Sequence, residues 1–178
     1  GYDGAVWLLN NDAYIARDCI TALCRRSLPA VSGTVLVEFF DCNQVQAAGG
    51  TLSSCFASPR NLHAGARLDF LRGQHNLKVV GANYPVGASM LTWMDCVKRV
   101  DGWFFEGYFL YYEEADFSAQ NNLIYTDIYL DARVAHVGGA STAEMPSLFS
   151  RRSVVRDYYS SRSRVIYARR NRGLVTFW

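Results

Sequence analysis

The spacing of hydrophobic positions changes several times along this chain, and each change predicts an element. Val6 to Leu9 is uniformly apolar, as expected of a strand covered on both faces in a parallel or mixed sheet. The run stops at Asn10, Asn11 and Asp12. Beyond it Ile15, Cys19, Ala22 and Leu23 recur at helical spacing, which predicts an amphipathic helix starting after Asp12. Arg25 and Arg26 fall in its last turn, where cations suit the helix dipole, and Pro29 lies just beyond. Strand, polar turn and helix form one βα unit and predict an α/β fold.

Val35 to Phe40 reads as a second strand. Residues 43–76 are rich in Gly, Ser, Ala and Asn with weak periodicity, which predicts long binding loops and short strands. From Val79 the pattern predicts a short strand, a turn at YPVGAS and an apolar helix from Met90 to Val100. An aromatic run, GWFFEGYFLYY, then passes abruptly into EEAD. Two short strands follow, around Ile124 to Leu130 and Val134 to Val137. The segment Arg151 to Arg172 holds eight arginines against the single acid Asp157; it reads as a helix only partly packed on the domain.

Composition narrows the class. With 178 residues, 50% of them hydrophobic, the chain suits one compact domain with a substantial core. A net charge of +2 is too small to announce a nucleic-acid binder. The five cysteines form no CxxC pair and are odd in number, which argues against a zinc site or a disulfide framework and for a reducing, cytoplasmic setting. No apolar run approaches the roughly 20 residues of a membrane span. The first residue is glycine rather than methionine and a strand begins within a few residues of it, so the chain is expected to be cut from something longer.

Three clusters are candidates for chemistry, and each has a structural alternative. The NND turn offers helix N-caps. It also stands at the carboxyl end of a strand, where α/β sheets collect ligands and a carboxylate can hold a hard cation. In YYEEAD, three carboxylates lie within four residues; they form either a solvated first helical turn or, after so aromatic a run, a partly buried base with a raised pKa. His136, in AHVGGAS, is either a hydrogen-bonded structural residue like His63 and His75 or the second half of a metal site.

In order and spacing these motifs resemble the family 2 glycosyltransferases, particularly the rhamnosyltransferase-like branch, over about Ala5 to Arg172. LLNND resembles that family's Asp-x-Asp motif, with Asn10 at the first acidic position. AAGG at 47–50 is similar to its middle glycine pair, YPVGASML at 84–91 to its glycine-alanine loop, GWFFEGYFLYYEEAD at 102–116 to its catalytic motif, and AHVGGAS at 135–141 to its histidine motif.

The resemblance implies a partial GT-A (Rossmann-like) fold, a mixed sheet flanked by helices and truncated at the N-terminus. Residues 1–146 would form the metal and acceptor portion, and 147–178 an Arg-rich helical extension. It implies that Asp12 and His136 bind Mg²⁺ or Mn²⁺ and that Glu114 is the general base. Asn10, Asn11, Gly87, Ala88, Glu113 and Asp116 would hold substrate. The implied reaction is inverting transfer of a sugar, rhamnose from a thymidine diphosphate donor, to a glycan or lipid-linked acceptor; this chain, as the C-terminal part of such a domain, is expected to lack most nucleotide affinity and to be inactive alone. The arginine segment would meet the inner face of the membrane. The chain departs from the family pattern at Phe105, Gln120 and Asn121–Asn122, and carries glutamate at 114 where aspartate is more frequent. Two other readings are a non-catalytic scaffold and, from the interleaved arginines and tyrosines, a nucleic-acid-binding module.

Overall fold

The computed structural model describes residues 4–24, 31–75, 77–100, 102–123, 126–137 and 154–172. Arg25, Arg26, Pro29, Ile124, Gly138 to Ser141, Arg151, Arg152 and the boundary expected at residue 146 lie outside them.

The chain folds into a mixed sheet flanked by helices. Its first strand, β1 (Ala5–Leu9), pairs antiparallel with β8 (Ser89–Trp93). β8 pairs antiparallel with β3 (Val31–Glu38), and β3 lies parallel to β9 (Thr126–His136). β1, β3 and β9 therefore point the same way. The short β2 (Ala13–Ile15) and β7 (Lys78–Ala82) pair antiparallel with opposite ends of β9, and β4 (Val45–Ala47) pairs with β3. A separate hairpin joins β5 (Gly50–Leu52) to β6 (Pro59–Asn61).

Helices cover both faces. Alternation along β3 sends Val35 and Val37 toward Leu68 and Leu71 of α2 (Leu68–His75), and Leu36 toward Cys19 and Leu23 of α1 (Cys19–Cys24). β3 is thus the strand buried on both faces, the role the sequence suggested for Val6 to Leu9. Those residues are only half-buried in β1, which forms one end of the principal strand path. Val31 and Met90 pack with Cys96 and Val97 of α3 (Met94–Arg99) and Phe117 of α4 (Glu113–Gln120). α5 (Val154–Asn171) packs on α4 through Tyr167, beside Tyr84, Tyr108 and Tyr112.

Residues 68–75, expected within loops and short strands, form the helix α2, whose buried Leu68 and Leu71 set it on the sheet, and three further expected elements differ. The helix predicted from Asp12 onward is a strand, β2, followed by a helix that begins only at Cys19. The helix predicted from Met90 to Val100 is strand β8 running into α3. In both places a short apolar run fits either period, and pairing with distant strands chooses. The two strands expected near Ile124–Leu130 and Val134–Val137 are halves of one, β9. Its register against β3 breaks between Tyr129 and Arg133, so the first half pairs with β7 and the second with β2.

Candidate functional site

Since β1, β3 and β9 run in one direction and β8 returns between β1 and β3, three turns meet at one end of the sheet. They are residues 10–12 after β1, residues 86–88 before β8, and the end of β9. The backbone stitches them together. Asn10 N donates to Ala88 O (3.1 Å), and Val137 N to Asp12 O (3.2 Å). Val86 to Ser89 closes as a turn through Ser89 N and Val86 O (3.0 Å). Beneath it the buried Ser89 hydroxyl accepts from Trp7 Nε1 (2.9 Å) and Thr34 Oγ1 (2.6 Å), tying β1, β3 and β8 together.

Asp12 does not start a helix, because strand β2 follows it; the N-cap alternative is therefore excluded. Its carboxylate Oδ1 instead lies 3.3 Å from His136 Nε2, both side chains being mostly buried. The other ring nitrogen, Nδ1, lies 2.7 Å from Gln46 Oε1. An amide oxygen only accepts, so Nδ1 carries a proton toward Gln46, and Nε2 faces the carboxylate either with a second proton, as an ion pair, or with a lone pair open to a cation. Two lone pairs cannot face each other at that distance unless a proton or a cation lies between them.

This donor set fits a divalent cation. Ligand atoms at about 2.1 Å from an octahedral ion lie roughly 3 Å from their neighbours, close to the observed separation. A second group fixing the far ring nitrogen is the usual way a ligating histidine is oriented. No third histidine, cysteine or carboxylate joins the pair among the described residues. Gln46 had no signal in the sequence, since nothing in VQAAGG marks it as the partner of a residue 90 positions away.

Glu114 approaches the same corner from another side. It sits in the first turn of α4, and Gly87 N donates to its Oε1 at 3.4 Å. Desolvation, and then the charge of Glu113, push its pKa from 4.5 up to about 7. Burial also raises Glu113, whose Oε2 is buried without a partner among the described residues. Tyr111 and Tyr112, just ahead of α4, both take left-handed backbone, at φ 68° and 74°. Successive strained residues of this kind cost of order 1–3 kcal/mol each and cluster at functional sites.

A cavity of about 930 Å³ opens against Glu114. Its walls are Tyr84, Val86, Tyr111 and Tyr112, residues 59–64 of the hairpin and its exit, and Arg156 and Ser160 of α5. Neither Asp12 nor His136 lines it; the 86–88 turn connects it to their pair. The middle glycine pair acquires a role here. A Cβ on Gly50 would collide with the ring of Tyr84, so glycine is what lets that ring form the cavity wall.

The other expected site residues divide. Asn10 and Asn11 are exposed at the turn, and Gly87 faces Glu114. Ala88 is turned into the core with Cys19 and Leu91 rather than toward the cavity. Asp116 is 2% exposed and already engaged. Both of its oxygens accept from Arg170 Nε at 3.2 Å, and Oδ1 accepts from Asn171 Nδ2 at 2.6 Å. Its carboxylate therefore fastens α5, and Asp116 does not line the cavity beside Glu114.

The arginine-rich segment is more closely packed than its composition suggested. Arg170 stacks on Phe105 at 3.9 Å, Arg162 Nη1 donates to Gly107 O (2.8 Å), and Ser163 Oγ to Leu110 O (2.7 Å). Phe105, one of the departures from the family pattern, thus serves as the platform for Arg170. No helix among the described residues is long and apolar enough to cross a membrane. The chain matches no model of a known protein family and no curated protein.

Proposed function

We propose that this chain carries the metal and acceptor site of an inverting sugar transferase of GT-A type. The observation that carries the reading is the meeting of Asp12 and His136, 124 positions apart, at 3.3 Å. They meet beyond the carboxyl ends of parallel strands, where α/β sheets bind ligands, with Glu114 against the adjoining turn.

In this reading Asp12 and His136 hold Mg²⁺ or Mn²⁺, with Gln46 orienting the imidazole. The bound ion supplies positive charge against a nucleotide diphosphate leaving group. The acceptor, a glycan or lipid-linked sugar, occupies the 930 Å³ cavity. Its hydroxyl gives its proton to Glu114 as the oxygen bonds to the anomeric carbon of the donor. The bond from that carbon to the diphosphate breaks, and its electron pair leaves with the diphosphate. A base with a pKa near 7 is well matched to that step at neutral pH. Rhamnose is the sugar proposed, on resemblance alone. The enzyme works on the cytoplasmic side, with exposed arginines of α5 such as Arg164 and Arg169 facing anionic lipid.

The test joins binding to turnover. Mn²⁺ titrated into the chain and followed by electron paramagnetic resonance binds at least about tenfold more weakly to Asp12→Ala and to His136→Ala. In the longer parent protein, screened against nucleotide-diphosphate sugars, Glu114→Gln lowers kcat by about 10²–10⁴-fold with the circular dichroism unchanged, and wild-type kcat rises with pH through about 7. Equal Mn²⁺ affinity in all three proteins, or full turnover by Glu114→Gln, overturns the reading.

A further inference from the structure

The cavity beside Glu114 is asymmetric in charge. Its ionisable lining consists of Arg60 on β6, Arg156 on α5, His63 and the tyrosines, against the single carboxyl of Glu114. His63 has its pKa lowered from 6.5 by burial and by the neighbouring His75, so near neutral pH it is a neutral hydrogen-bonding group. The two guanidiniums line the cavity from different elements, Arg60 from β6 and Arg156 from α5. Both residues are exposed.

Arg60 forms no ion pair or hydrogen bond with the described residues. By contrast, Arg67 and Arg170 each bind a carboxylate of the fold. Polar groups stand beside both cavity arginines. Asn61 follows Arg60, and Ser160 lies one helical turn after Arg156 on the same face of α5; both line the cavity. Arginine presents a planar fork of donors that matches carboxylate and phosphate oxygens, and a cleft with low-dielectric walls focuses its charge on whatever enters.

We propose that the molecule bound in this cavity carries an anionic group, a carboxylate or a phosphate, held between Arg60 and Arg156 while its reacting hydroxyl reaches Glu114. The inference rests on the transferase reading for the hydroxyl but not for the anion. It makes Arg60 and Arg156 specificity-determining residues and predicts an acidic or phosphate-bearing sugar as acceptor. The volume of about 930 Å³ favours a ligand larger than one ring, since cavities near this size enclose drug-sized molecules.

The test titrates the intact chain, without divalent cation, with methyl β-D-glucuronide, glucose 1-phosphate and the neutral methyl β-D-glucoside. At least one anionic probe binds about tenfold or more tighter than the neutral one, as charge-assisted hydrogen bonds require. That preference falls to roughly threefold or less in Arg60→Gln and in Arg156→Gln, and persists in Arg169→Gln, an exposed α5 control outside the cavity. A preference for glucuronide alone assigns a carboxylate acceptor, and one that includes glucose 1-phosphate assigns a phosphate-bearing one. Equal binding of all three probes, or a preference that survives Arg60→Gln and Arg156→Gln combined, overturns the inference. Mn²⁺-dependent transfer can fail while the anion preference stands, which rejects the transferase reading alone; equal transfer to neutral and anionic acceptors, with Arg60→Gln changing neither, rejects the anion site alone.

Discussion

Gly50 and Tyr84 show how single residues shape this site. The ring of Tyr84 lies where a Cβ on residue 50 would be, while Gly50 N and Tyr84 O hydrogen-bond at 2.9 Å. The ring is 5% exposed and packs among Tyr112 and Tyr167. Gly50→Ala is therefore expected to destabilise the fold by about 1–3 kcal/mol, the usual cost of overpacking, read from the urea midpoint. Gly65→Ala gives no measure of the same effect, because its positive φ of 82° adds strain of its own; Gly73→Ala, in α2 with open space around it, is the better control. The glycine pair was visible in the sequence, but its partner was not: nothing local says which ring, 34 positions on, will lie against it.

Among elements, α4 and α5 act as a unit. The carboxylate of Asp116 on α4 is buried beneath Arg170 and Asn171, and Gln120 Nε2 donates to Asn171 Oδ1 at 2.9 Å. Asp116→Ala leaves Arg170 without its acceptor. The expected loss is about 2–3 kcal/mol, below that of a fully buried pair because the Arg170 side chain is a third exposed. Amide exchange should accelerate across Val154–Asn171 while β3 stays protected. Unchanged exchange in α5 would return Asp116 to the substrate-holding role its motif implied. The helical character of α5 was legible from its composition and length. Its docking was not, because a charged residue facing solvent and one facing a buried partner look alike in sequence. The β8 strand was lost for a related reason: SMLTW is short and apolar, and its strand character comes from β1 and β3 on its two edges.

For the whole molecule, holding Glu114 in the fold has a pH-dependent cost. Its pKa is near 4.5 when exposed and about 7 in the folded state. Between those values the folded chain keeps a proton that the unfolded chain has released, so this group's contribution falls as pH rises from about 4.5 through 7 and is level outside that window. Subtracting the stability of Glu114→Gln from that of wild type removes the other titrating groups. The difference should move against wild type across the window by on the order of 3 kcal/mol, at about 1.4 kcal/mol per tenfold change in proton affinity. A flat difference would mean that Glu114 is solvated like an ordinary surface glutamate.

Read alone, the residues determined the α/β class, the positions of the polar turns and the acidic start of α4, because strand ends, turn chemistry and amphipathic spacing are local properties. The order of the strands, the register break in β9, the pairing of Asp12 with His136 through Gln46, and the diversion of Asp116 to α5 were decided only in three dimensions. Each depends on which distant backbone edge or side chain fills the space opposite. That choice is made by packing and desolvation over the whole core, and no window of the sequence contains both partners.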